Sequence, residues 1–275
     1  MTSYIYFKLK GKVIFSTFLF LCSLTVLAQD FEVAPVKLNY DCEPGEIQTK
    51  LMTVRNHSNE KQQFSIEILD LKINKDTAIN SEATAIKENN SCKDWLTINP
   101  SYFPLNPNES AEIKVIMQVP PNESHTRGAM IYVSATEEQT ALSVDKQLKS
   151  GVKIHPRIGV KVVQSPKSNS NYKAAVTDLK EISLATDSTR SFQVKIANTG
   201  DKMINAKVYL VLSNLETATE IKEKPKKISL FPDAYKTMIL VLPKNVPPGN
   251  YSLAAILDYG FQSSLEAVQM NIQVK

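Results

Sequence analysis

One three-part phrase occurs twice in this chain, in the same order. The first copy is Val54-Arg55-Asn56-His57-Ser58, then Phe103-Pro104-Leu105, then Val119-Pro120-Pro121 leading to Gly128-Ala129-Met130-Ile131. The second is Ile196-Ala197-Asn198-Thr199-Gly200, then Leu230-Phe231-Pro232, then Val246-Pro247-Pro248-Gly249 leading to Tyr251. Asparagine tolerates positive φ, so Asn56 and Asn198 are read as ending a strand and opening a turn. The proline pairs block ladder pairing and hold the chain extended between strands. Such phrases mark the corners of a small all-β unit, so the repeat predicts two of them in tandem.

The hydrophobic pattern agrees. Phe64, Ile66 and Ile68 alternate with polar residues, as do Ile113, Val115, Met117 and Val119, and again Ala129, Ile131 and Val133. In the second half Phe192, Val194 and Ile196 do the same, followed by Val208, Leu210 and Leu212, then Leu253, Ala255 and Leu257. Short period-2 runs separated by turn signals predict β-sandwiches. Phe31 to Leu38 reads as an edge strand broken by Pro35. Residues 74–94 are polar and read as a long exposed loop with a short helix at Ser81–Ile86. The basic run Lys222 to Lys227 reads as a solvated hairpin tip. Tyr251, just past a proline pair and a glycine, has two readings: a corner tyrosine whose hydroxyl ties down the loop, or a tyrosine simply packed at a strand start.

Residues 1–28 carry Lys8, Lys10 and Lys12 followed by the apolar run Val13 to Leu27, and end at Ala28. This order predicts a cleaved export signal, because the run is shorter than the ~20 residues a bilayer span needs. Its removal takes away three lysines and no acid, and lowers the formal charge from +4 to +1. A nearly neutral surface argues against nucleic acid as a partner. No later segment is apolar enough to predict a membrane span. Cys42 and Cys92 remain. In an oxidising compartment an even pair is expected to form a disulfide, the alternative being two reduced thiols. The domain reading is a signal over 1–28, a first sandwich over 29–164, a polar linker over 165–171 and a second sandwich over 172–275.

No constellation of catalytic residues stands out. The three histidines, His57, His125 and His155, have no second histidine at metal spacing, and the eight glycines do not cluster into a phosphate loop. The chain is therefore read as no enzyme, with neither metal nor cofactor. A binding role has better support. Val152 and Ile154 alternate toward the end of the first half, and such a strand edge can add to a partner. The other reading of these two residues is that they face their own core. The cleft between the two sandwiches is the second candidate site, with Lys37, Arg157 and Lys161 as anion contacts or as ordinary surface charges.

Particular phrases carry a resemblance. Val33-Ala34-Pro35-Val36-Lys37-Leu38, Val54-Arg55-Asn56, Tyr102 to Pro107 and Arg157-Ile158-Gly159-Val160 make Phe31 to Val163 similar to the amino-terminal domain of PapD-like periplasmic chaperones. The resemblance implies immunoglobulin-like sandwiches and a basic residue on the first strand that anchors a client's terminal carboxylate, a place held here by Lys37. It also implies a lysine two positions beyond the closing arginine, where this chain has Gly159. Asp94-Trp95-Leu96, Leu105 to Met117 and Pro120 to Met130 resemble WxL-interacting cell-surface proteins, in which one sandwich is associated with peptidoglycan and a second with a protein partner. The two resemblances imply an exported protein of a bacterial periplasm or cell surface. As a chaperone or assembly factor it would bind other envelope or surface proteins. The alternative is an adaptor on peptidoglycan.

Overall fold

The computed structural model describes residues 30–71, 84–85, 90–136, 156–184, 189–243, 245–260 and 265–275. The expected signal, Val152 and Ile154 lie outside the described residues. The first half contains β1 (Phe31–Ala34), β2 (Lys37–Tyr40), β3 (Ile47–Asn56), β4 (Gln62–Asp70), β5 (Thr84–Ala85), β6 (Leu96–Asn99), β7 (Tyr102–Leu105), β8 (Ser110–Gln118), β9 (Arg127–Thr136) and β10 (Arg157–Gln164). The second contains β11 (Ala174–Glu181), β12 (Ser191–Asn198), β13 (Ile204–Asn214), β14 (Glu220–Lys222), β15 (Lys226–Leu230), β16 (Tyr235–Val241), β17 (Gly249–Asp258) and β18 (Glu266–Val274).

Two sandwiches result. In the first, sheet β1-β3-β8-β6 packs on sheet β2-β10-β9-β4-β7. Phe64 sits near the centre, edge-on to Phe31 at 5.3 Å and stacked on Phe103 at 5.8 Å between ring centroids. Truncating such a residue to alanine costs about 3–5 kcal/mol. In the second, β11-β12-β16-β5 packs on β14-β13-β17-β18, with β15 also on β13. The two cores are separate clusters. β10 serves both. Val162 is buried in the first core, and its neighbour Val163, pointing to the other face of the strand, is buried in the second.

The broken first strand has a consequence that its sequence did not show. β1 runs antiparallel to β3, and beyond Pro35 the chain crosses to the other sheet, where β2 runs parallel to β10 with Lys37 opposite Lys161. The repeated phrase is real, but its parts correspond differently from the sequence reading. Asn56 Nδ2 donates to the carbonyls of Glu60, Leu105 and Asn106 at 2.8, 3.1 and 3.2 Å. Asn198 Nδ2 donates to Lys202 and Leu230 at 2.8 and 3.0 Å. Leu105 therefore matches Leu230. Phe103 and Phe231 are not equivalent: the first lies in a strand before the matched leucine, the second directly after it. Neither asparagine has positive φ. Each works instead as a side-chain clip that satisfies buried carbonyls.

Other expectations are revised. The Ser81–Ile86 helix is replaced, where described, by β5, which pairs with Tyr235 and Lys236 of the second sandwich. The basic run is no hairpin tip. β14 and β15 both pair with β13, on successive stretches of its length, so Glu223-Lys224-Pro225 interrupts a single edge. Tyr251 is a corner residue, its hydroxyl donating to the Pro247 carbonyl at 2.9 Å. Cys42 and Cys92 are free and buried rather than bridged. The reason is lateral distance. The Cys92 N–H donates to Gly128 of β9 at 3.2 Å, Gly128 lies opposite Val163, and Val163 lies opposite Asn39 of β2. Two strands thus separate Cys92 from the strand that leads to Cys42. At about 4.8 Å per strand this is on the order of 14 Å, against the roughly 7 Å that a disulfide can span.

Candidate functional site

The face of β10 that points away from the first core carries Arg157, Gly159, Lys161 and Val163, because side chains alternate along a strand. Opposite them on β9 stand Ser134, Tyr132, Met130 and Gly128. The Arg157 guanidinium lies over the Tyr132 ring at 4.2 Å. Gly159 lies under the side chains of Met130 and Tyr132, and a Cβ there would come within 2.8 Å of Met130 Cε, so that methionine tip would have to shift. The second sandwich closes one end of this face, where Phe231 packs on Gly128 and Leu71 packs against the second core.

Lys37 and Lys161 meet at the mouth of this cleft. They are register partners on parallel strands, and the Lys161 N–H donates to the Val36 carbonyl at 3.0 Å. Burial, and then the neighbouring positive charge of Lys37, hold the Lys161 ammonium below the usual lysine range. Its Nζ lies 5.1 Å from the centroid of the Phe231 ring. Among the described residues no carboxylate pairs with either lysine. Two like charges held side by side at a partly dry position are unfavourable alone, and they favour an anion between them. The basic partner of Lys37 is therefore Lys161, two residues beyond the position held by Gly159.

β10 also has an open edge. β9 pairs with it along its whole length, but β2 pairs only with Lys161 to Gln164. On the β2 side, Arg157 to Val160 pair with no strand among the described residues. The open stretch ends where Lys37 begins.

Of the residues singled out by sequence, Lys37, Arg157 and Lys161 share this cleft face or its rim. Val152 and Ile154 lie outside the described residues, in the chain leading to β10. The structure adds residues that sequence did not mark. Gln164 is buried and clips the exit of β2, donating from Nε2 to the Cys42 carbonyl at 2.6 Å and accepting the Cys42 N–H at 3.3 Å. Asn90, also buried, donates to the Pro232 carbonyl at 2.6 Å across the two sandwiches and accepts from Arg127 at 3.0 Å. The Thr126 N–H donates to the Asp201 carbonyl at 2.9 Å, and its hydroxyl accepts the Met203 N–H at 3.1 Å. Gly128 carried a signal in sequence, since a glycine inside a strand pattern often marks a close approach by another part of the fold. No cluster of three metal-binding side chains occurs among the described residues, and no described helix is long and apolar enough to cross a membrane.

No family model and no curated protein matches the sequence. Among solved structures, the chain is similar to one from a chaperone–tip adhesin complex of CFA/I fimbriae, at 14% identity over 88% of this chain and 98% of that one, with a TM-score of 0.48. It is similar to the class 5 fimbriae chaperone CfaA at 14% identity over 88% and 98%, with a TM-score of 0.46. It is similar to the E. coli chaperone DraB at 13% identity over 87% and 98%, with a TM-score of 0.41.

Proposed function

We propose that this chain is a non-catalytic binding protein of the bacterial envelope, acting as a chaperone or assembly factor that holds the carboxy-terminal strand of a client protein. The observation that carries this reading is the open edge of β10 running into the Lys37–Lys161 pair. A client strand added along Arg157 to Val160, parallel to β10, would be collinear with β2 and would end where β2 begins. Its terminal carboxylate would then meet both ammonium groups. Main-chain hydrogen bonds supply sequence-tolerant affinity in such an addition, and the charge pair fixes the register. Arg157 stacked on Tyr132, with Met130 beside them, forms the adjoining face for client side chains.

Export to the periplasm or cell surface, through the leader over 1–28, belongs to the same reading. So does the use of Val152 and Ile154 as further contacts along the edge. The test is crosslinked co-purification of the tagged mature protein from envelope extracts, run beside a Lys37→Gln/Lys161→Gln double variant. The expected outcome is a defined client recovered with the parent chain and reduced about tenfold or more with the variant, as befits two charge-assisted contacts of about 1 kcal/mol or more each. Equal recovery by both proteins would remove the charge pair from the proposal. Retention of the purified chain by sedimented sacculi, with no client recovered, would favour a peptidoglycan adaptor instead.

A further inference from the structure

Phe231 belongs to the core of the second sandwich, and its ring also meets the first. The ring rests on Gly128, where a Cβ would come within 2.9 Å of both Phe231 Cε1 and Cζ, so glycine is what admits the ring to this depth. The next residue is gripped from the first sandwich as well. Asn90 Nδ2 donates to the Pro232 carbonyl at 2.6 Å, and Asn90 Oδ1 accepts from Arg127. Arg127 in turn donates to Glu123 from Nε and Nη2 at 3.0 and 2.8 Å. From its own domain, the Ala234 N–H donates to the Phe231 carbonyl at 3.1 Å. The ring is 3% exposed and is held from both sides. The Lys161 ammonium lies 5.1 Å from the centroid of the ring.

Resting on the carboxylate-anchor reading, we infer that Phe231 is a positioning residue for Lys161, a second-domain part of an anion site whose charges both come from the first domain. A lysine side chain is flexible, and an untethered Lys161 would spread its ammonium over many rotamers, most of them away from Lys37. The Phe231 ring removes that freedom in two ways. Its electron-rich face attracts the cation, and its bulk excludes water from one side of it. The ammonium is thereby kept beside Lys37 with its open side facing the cleft, before any anion arrives. Gly128 beneath the ring carries no charge, and the charge that acts on Lys161 is that of Lys37. It follows that the seating of the two sandwiches and the strength of the anion site are one property. A change that lifts Phe231 off Gly128 weakens the anchor without touching either lysine.

The test uses the full mature chain, with the lysine side-chain methylene signals followed by NMR and assigned through Lys161→Gln and Lys37→Gln. Sodium acetate is titrated at neutral pH against sodium chloride at equal ionic strength. In the parent protein both lysines should respond saturably to acetate and not to chloride. Phe231→Leu should raise the acetate dissociation constant about threefold. Phe231→Tyr, which keeps the ring, should restore it to near the parent value. Gly128→Ala, which keeps the phenylalanine but displaces it, should weaken acetate in the same way as Phe231→Leu and stands in for that variant if it does not fold. Parent-like affinity in both Phe231→Leu and Gly128→Ala would overturn the positioning role while leaving the lysine pair intact. No acetate response in the parent protein would overturn the anchor itself, and the positioning role with it.

Discussion

At the scale of single residues, the two asparagine clips show how one motif is adapted to two surroundings. In each copy the residue two beyond the asparagine donates its N–H to the side-chain oxygen: Ser58 at 2.9 Å in the first, Gly200 at 3.0 Å in the second. A Cβ on Gly200 would lie 2.3 Å from the Asn171 carbonyl oxygen and 2.6 Å from the Lys173 nitrogen, both main-chain atoms. Gly200→Ser should therefore cost about 2–4 kcal/mol in urea denaturation. Ser58→Gly gives up the Ser58 hydroxyl's own contacts and some backbone stiffness, and should cost about 1 kcal/mol. Similar losses at the two positions would show that the crowding at Gly200 relaxes at little cost. The thiols give a second prediction. Burial pushes Cys92 up to about 12 and raises Cys42 as well. Because the thiolate is the reactive form, neither should react with a thiol reagent at pH 8 in the folded protein, and both should react in denaturant without any reductant. A chain with no titratable thiol in denaturant would mean that the two are bridged after all.

At the scale of elements, β10 is the strand on which the molecule is organised. One face fills the first core, the other reaches the second core through Val163, and the half nearest Arg157 has a free edge. Lys161 has a measurable signature there. Its folded pKa is depressed, first by burial and then by Lys37, whereas in the unfolded chain it titrates in the usual lysine range near 10.5. Between those two values the unfolded state binds more protons, so stability should rise as pH climbs through that alkaline window. Urea midpoints compared at successive pH values for the parent chain and Lys161→Met isolate the effect. The parent should gain on the variant as pH increases, and a constant difference would show that Lys161 is not destabilised by its charge.

At the scale of the whole molecule, the two sandwiches are joined by much more than a linker. Residues 165–171, which read as a polar linker, are bound on both sides. Ser168 donates its N–H to Glu43 at 3.0 Å, Asn169 donates to the Ser124 carbonyl at 2.8 Å, and Asn171 donates to Asp201 at 2.6 Å. Lys167 pairs with Asp41 at 2.7 Å, and Lys202 reaches the Pro166 carbonyl. These exposed contacts are individually weak. The buried ones through Asn90, Thr126 and Phe231 carry the joint. Asn90→Ala leaves the Pro232 carbonyl without its donor and should cost about 1–3 kcal/mol. It should also split the calorimetric unfolding of the parent into two separate transitions. A single transition at an unchanged temperature would show that the domains are coupled by other contacts.

How much of this was legible in the sequence depends on the range of the interaction. Strand alternation, the proline break after Ala34 and the doubled asparagine phrase are local patterns, and they determined two β-sandwiches because period-2 burial acts residue by residue; between the two readings of Tyr251 only the Pro247 contact decided. Lys37, Arg157 and Lys161 were visible as charges near strand ends. That Lys161 stands beside Lys37 was not, because the pairing follows from the switch of the first strand between sheets and from its parallel register. The same limit explains the misassigned disulfide, since chain spacing does not reveal that β9 and β10 lie between the two cysteines. Phe231 looked like a second copy of Phe103, and only the carbonyls that the asparagines choose show that the two are not equivalent, Phe231 lying in the second core while also meeting Gly128 of the first sandwich. Sequence determined what each strand buries. Tertiary structure decided which strands are neighbours, and so which charges share a site, because the pairing of Lys37 with Lys161 joins residues more than a hundred positions apart.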